Sequence, residues 1–65
     1  MTTIDRGLYH YEITGEREAE AAEALEARLD WIDQQKWYPY NRAEDYSSAR
    51  QKTEEEFGVK IKTAI

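Results

Sequence analysis

The chain has no cysteine, one proline, one histidine and three glycines that are nowhere adjacent. Without cysteine there is neither a disulfide framework nor a thiolate metal site, and the composition fits a reducing compartment. Gly7, Gly15 and Gly58 are too scattered to form a loop that cradles phosphate. His10 falls in a predicted strand, where only Glu12, two residues on, shares its face as a partner for acid–base chemistry. A polar residue on a solvated strand face is its plainer role. Ser47 and Ser48 lack the context of a nucleophile motif. No apolar run approaches the ~20 residues that span a bilayer. The first seven residues lack the basic start and apolar stretch of a signal peptide. These absences lead us to expect a non-enzymatic cytoplasmic protein, without cofactor, metal or membrane association.

At 65 residues the chain is expected to form one small domain, 1–65. A domain of this size buries only about 60% of its unfolded surface. Its core alone rarely supplies more than about 3–5 kcal/mol. Aromatic packing or association must make up what disulfides would otherwise provide.

Fourteen acidic residues against nine basic give a net charge of −5. Direct nucleic-acid binding needs lysine or arginine to displace counterions, and this balance disfavours it. Residues 16–33 concentrate seven acids against Arg17 and Arg28, whereas the last segment carries Lys60 and Lys62 and no acid.

Residues 8–14 alternate as a strand, with Tyr9, Tyr11 and Ile13 on one side and Leu8, His10, Glu12 and Thr14 on the other. Gly15 ends it. Residues 16–36 are rich in alanine, leucine and glutamate and read as one long helix, with Thr14 as a candidate N-cap. Ala21, Ala22, Leu25, Leu29 and Ile32 form its apolar stripe, flanked on a second edge by Trp31, Ala24 and Ala27. Pro39 interrupts helical geometry. Asn41, with Glu44 three residues on, then has the pattern of a capping box. A second helix, about 42–57, follows, with Ala43, Tyr46, Ala49, Thr53 and Phe57 on its apolar side. Gly58 stands at a helix C-cap position. Val59, Ile61, Thr63 and Ile65 alternate with Lys60, Lys62 and Ala64 as a final strand. The expected fold is α+β, in the order β-α-α-β, with both helices on a small two-stranded antiparallel sheet. Both strands would then be edges, which a homodimer could satisfy by extending the sheet.

Two features carry functional meaning. Glu16, Glu20, Glu23, Glu26, Asp30 and Asp33 recur at steps of three and four along one side of the long helix. Such a ladder has about one carboxylate per turn, ~5–6 Å apart. It can imitate a nucleic-acid backbone and steer approach to a basic groove, although a charged outer face is also the ordinary dress of an amphipathic helix. The second feature is aromatic: Trp31, Trp37, Tyr38, Tyr40 and Tyr46 lie close together in sequence. Rings of this kind either fill a small core or form binding hot spots. Trp37, Tyr38 and Tyr40 surround a proline in a connection and cannot all face inward. The run Glu54-Glu55-Glu56 lies at a helix C-terminus, where the dipole disfavours it, and consecutive helical residues do not converge on one metal ion.

The function expected is that of a protein-binding modulator. Trp37, Tyr38 and Tyr40 would be its anchors, and the six-carboxylate stripe would face a larger partner such as a basic nucleic-acid-binding surface. Size and charge alone liken it to phage- or mobile-element-encoded inhibitors of host machinery, of the anti-CRISPR or polymerase-inhibitor kind. The alternative is a structural, homo-oligomeric subunit of an assembly such as a virion.

Overall fold

A computed structural model describes residues 1–7, 9–35 and 42–64. The order is β1 (Thr2–Arg6), β2 (Tyr9–Thr14), α1 (Glu18–Asp33), α2 (Arg42–Phe57) and β3 (Lys60–Ala64). The class is α+β, but the sheet has three antiparallel strands in the order β1-β2-β3 and not two. The extra strand is β1. It pairs with β2 from Thr2↔Ile13 to Arg6↔Tyr9, so two residues connect the hairpin. The expected pairing of the other two strands is present, with Ile13 opposite Ile61 and Glu12 opposite Lys62. β2 is therefore the centre of the sheet, and the edges are β1 and β3.

Alternation divides the sheet into two faces. Ile4, Tyr11, Ile13 and Ile61 are buried beneath the helices. Thr3, Asp5, His10, Thr14, Lys60 and Lys62 are exposed on the other face. α1 contributes Ala21, Ala22, Leu25, Leu29 and Ile32, the whole of its expected apolar stripe. α2 contributes Tyr46, Ala49 and Thr53, while Ala43 is exposed and Phe57 half-buried. Thr53 is wholly buried yet satisfied: its hydroxyl donates to the Ala49 carbonyl at 2.8 Å and accepts from Arg28 Nη1 at 2.7 Å. A polar side chain can occupy the helix–helix seam because both of its capacities are used.

α1 begins two residues later than expected. Its N-cap is Arg17, which makes no side-chain capping bond, so Thr14 is not the cap and Glu16 precedes the helix. The cause is the chain reversal at Gly15, whose φ of 145° is open to glycine and strained for other residues. A Cβ there would lie 3.0 Å from Val59 Cγ1 and 3.3 Å from Val59 Cα. Gly15→Ala therefore combines backbone strain with a tight approach to Val59. We expect a loss of roughly 1–3 kcal/mol, seen as a fall in melting temperature of about 4–8 °C per kcal/mol. At Gly58 a Cβ would meet nothing within 4 Å, so Gly58→Ala should cost less. Gly58 closes α2 as expected, with φ of 63° and its N–H donating to the Glu54 carbonyl at 2.9 Å.

No helix among the described residues is long and apolar enough to cross a membrane.

Candidate interaction surface

Both helices carry acids and no base in their last turns. That arrangement opposes the helix dipole. Arginines from elsewhere in the chain offset it. Arg6, on β1, reaches the end of α1 and forks between two carboxylates, Nη1 to Asp30 at 2.7 Å and Nη2 to Asp33 at 2.6 Å. The Tyr46 hydroxyl donates to the same Asp33 carboxylate, tying in α2. Burial works against the charge on Arg6, but its hydrogen bonds to Asp30 and Asp33 outweigh that and raise its pKa. Burial and the bond to Asp33 likewise raise the Tyr46 phenol. At the end of α2, Arg28 from α1 pairs with Glu56, and Arg50 pairs with Glu54 at 2.7 Å. The acidic run at 54–56, which the sequence leaves without a stabilising role, is thus largely engaged.

The six-carboxylate stripe divides accordingly. Glu20 pairs with Arg17 at 2.8 Å, and Asp30 and Asp33 pair with Arg6. Glu16, Glu23 and Glu26 are exposed and form no ion pair among the described residues. The ladder is therefore about half neutralised internally, and its first member stands off the helix. Both facts weaken the likeness to a nucleic-acid backbone.

The Arg17–Glu20 and Arg28–Glu56 pairs, together with an ion pair between the Met1 amino group and Glu18 at 2.9 Å, make a pH prediction. The bond to Arg17 lowers the Glu20 carboxyl, the bond to Arg28 lowers Glu56, and the bond to the Met1 amino group lowers Glu18. A folded-state pKa below the unfolded value means that the unfolded chain binds more protons as pH falls. The stabilisation is present above the ordinary carboxylate range, about 4.3 for glutamate, and is lost as pH drops through the folded values. Thermal melts between about pH 6 and about pH 3 should show a declining midpoint, with a shallower decline in high salt. A midpoint constant across that window would contradict the assignment.

The aromatic residues also divide. Tyr46 is buried, its ring tilted against Tyr9 with centroids 4.9 Å apart, and Tyr9 stacks on Tyr11. These are core residues with polar tips. Trp31 is the opposite case: it is 63% exposed on the side of α1 away from the sheet. It stands at a groove of about 380 Å³ between the helices, lined also by Arg28, Ile32, Ala49 and Lys52. Farther along α1, Ala24, Ala27 and the half-buried Phe57 form a second shallow hollow edged by Glu20 and Glu23. The Arg17 guanidinium lies over the Phe57 ring, 4.7 Å from its centroid. Trp37, Tyr38 and Tyr40, the expected anchors, lie outside the described residues.

His10 faces Asp5 across the hairpin, Nε2 to Oδ1 at 3.5 Å, on the sheet face it shares with Glu12. Both side chains are more than half exposed on the open sheet face. Two participants in this surface, Arg6 and Trp31, owe their roles to the fold. Arg6 belongs to no periodic pattern in the sequence, although its long stem and planar fork suit it to paired carboxylates. Trp31 lies one helical turn from Ala27 and two from Ala24, on an edge of α1 away from the buried stripe, which leaves it exposed.

No protein-family model matches the chain, and comparison with curated proteins and with solved structures finds no significant similarity.

Proposed function

We propose that this is a non-enzymatic, protein-binding modulator that acts by occupying a surface of a larger protein. The observation that carries this reading is the exposure of Trp31 at the mouth of an apolar-lined groove. A tryptophan left in water forgoes a large hydrophobic gain in a protein short of core. Tryptophan is also among the residues most enriched at interface hot spots. Trp37, Tyr38 and Tyr40 belong to the same reading as sequence neighbours of this face. Glu23 and Glu26, exposed and without an ion pair among the described residues, supply the negative field that speeds encounter with a basic partner. Inhibition of host nucleic-acid machinery, with a phage or mobile-element origin, is the form of modulation that size and charge favour.

The test uses the tagged protein as bait in native lysate, treated with nuclease, at low and high salt. A stoichiometric protein partner, weakened by salt, is expected. Trp31→Ala should reduce its affinity about 30-fold, the effect of a hot-spot residue worth about 2 kcal/mol. Recovery of the protein alone as a salt-resistant oligomer would sink this reading and favour a structural subunit.

A further inference from the structure

The two edges of the sheet are not alike. At β3 the Ile61 N–H turns away from β2 and donates to Glu54 Oε2 at 2.9 Å. Glu54 is itself held by Arg50. Lys60 and Lys62 stand exposed beside this edge. A capped N–H and flanking lysines are devices that block strand addition.

The orientation of Ile61 fixes the rest of the ladder. In antiparallel pairs, backbone groups alternate between facing the partner and facing away. If Ile61 points outward, Ile13 opposite it turns towards β1 and pairs there with Thr2. Ile4 with Tyr11 and Arg6 with Tyr9 follow as bonded pairs. Thr3 and Asp5 therefore turn their backbone N–H and C=O groups out of the β1 edge. No hydrogen bond among the described residues engages those groups.

A row of α1 residues four apart runs along this edge. Glu18 marks one end, where its Oε1 accepts from Thr2 Oγ1 at 3.1 Å, and Asp30 marks the other at Arg6. Glu26 lies between them, exposed and without an ion pair among the described residues. The open edge thus offers unpaired backbone groups beneath an uncompensated carboxylate. Two copies of the chain joined β1 to β1 would set one Glu26 flank against the other, a repulsive arrangement. A strand bearing lysine or arginine towards the helical layer meets attraction instead.

We propose that the outer edge of β1, overhung by Glu26, receives an extended basic segment of a partner protein as a fourth strand of the sheet. Main-chain bonds at Thr3 and Asp5 supply affinity, and Glu26 selects a basic side chain on the strand. The proposal rests on the protein-binding reading and names the partner's local chemistry.

The test uses the full chain with two end-blocked synthetic peptides, one alternating lysine and valine and one alternating glutamate and valine. Amide hydrogen exchange read by NMR locates the contact. The lysine peptide should bind, more weakly in high salt, and slow exchange at Thr3 and Asp5. Thr3→Pro removes an outward N–H while leaving the β1–β2 ladder intact, because proline is tolerated where the N–H faces off the edge. It should abolish binding. Glu26→Lys, an exposed change that leaves the core untouched, should weaken binding by roughly fivefold or more. Thr63→Pro, the matching change at the β3 edge, should have no effect.

Several results would overturn the proposal: no binding of the lysine peptide, equal binding of the glutamate peptide, protection elsewhere, or indifference to both Thr3→Pro and Glu26→Lys. Concentration-dependent protection of Thr3 and Asp5 without peptide would assign the edge to a second copy, and would overturn it too. A lysate partner retained equally by the parent and Thr3→Pro would remove the edge assignment and leave the protein-binding reading standing. Absence of any partner for the parent would instead remove the reading itself.

Discussion

Leu25→Ala is expected to leave the protein largely unfolded at room temperature. Leu25 lies in the middle of α1 and has no exposed surface. It belongs to the cluster in which Ile4, Tyr11, Ile13 and Ile61 of the sheet meet Leu29 and Ile32. Alanine is the better helix former, so local propensity does not oppose the change. The cost comes from lost burial and from the cavity left behind, about 2–5 kcal/mol for leucine to alanine in a core. A core of this size supplies only about 3–5 kcal/mol in all. The two ranges overlap, so one substitution consumes most or all of the margin. Far-ultraviolet circular dichroism and a thermal melt would check this. Leu25→Met, which nearly conserves volume, should retain a cooperative transition, at a cost below about 1.5 kcal/mol. A Leu25→Ala protein melting within a few degrees of the parent would show that the helical layer does not depend on this contact.

The second large effect is expected at Arg6. Its side chain is 20% exposed and that of Asp33 29%, so the pair is partly shielded from water. Arg6→Met removes the fork and leaves two carboxylates at the C-terminal turn of α1, where the dipole already disfavours them. Asp33 also keeps the Tyr46 bond in a half-buried setting. We expect a loss of roughly 1–3 kcal/mol. That is below the ~3–5 kcal/mol of a fully buried pair, because solvent screens part of it. Arg6→Lys should fall between, since one ammonium cannot bridge both acids as a planar guanidinium does. Adding Asp33→Asn to Arg6→Met should recover part of the loss, and a double-mutant cycle by denaturant unfolding measures the coupling. If the double variant is as unstable as the sum of the singles, the guanidinium acts through packing on β1 and not through charge.

The features most legible in the sequence were those written as periodic apolar patterns. The α1 stripe from Ala21 to Ile32 repeats at helical spacing over three turns and is buried as a unit. Gly58 marks the end of α2, and the alternations through Tyr11-Ile13 and Ile61-Thr63 place two strands that pair. β1 escaped because Ile4 is its only buried apolar residue. Its other inward positions, Thr2 and Arg6, are polar and find their partners on α1. Such a strand has almost no alternation to read. The signal available was the β-branched Thr2-Thr3-Ile4 followed by a glycine two residues before the Tyr9-led strand.

The candidate surface was legible only in part for a related reason. The acids were visible, but whether Asp30, Asp33 and Glu56 are free depends on arginines 24 to 28 residues away in the chain. Local periodicity carries no information about contacts at that distance. The exposure of Trp31 depends likewise on where α2 leaves α1 uncovered.

Because β1 and β3 both run antiparallel to β2, they run parallel to each other. Thr2, opposite Ile13, lies at one end of the sheet, and Ala64, opposite His10, at the other. Tension applied between the outer ends of these two strands would therefore act along the strands. It would shear β2 against both neighbours at once, loading the hydrogen bonds of each ladder together and not one after another. Forced unfolding is governed by the unfolding rate, so a chain with a thin core could still resist pulling along this axis better than its thermal stability would suggest.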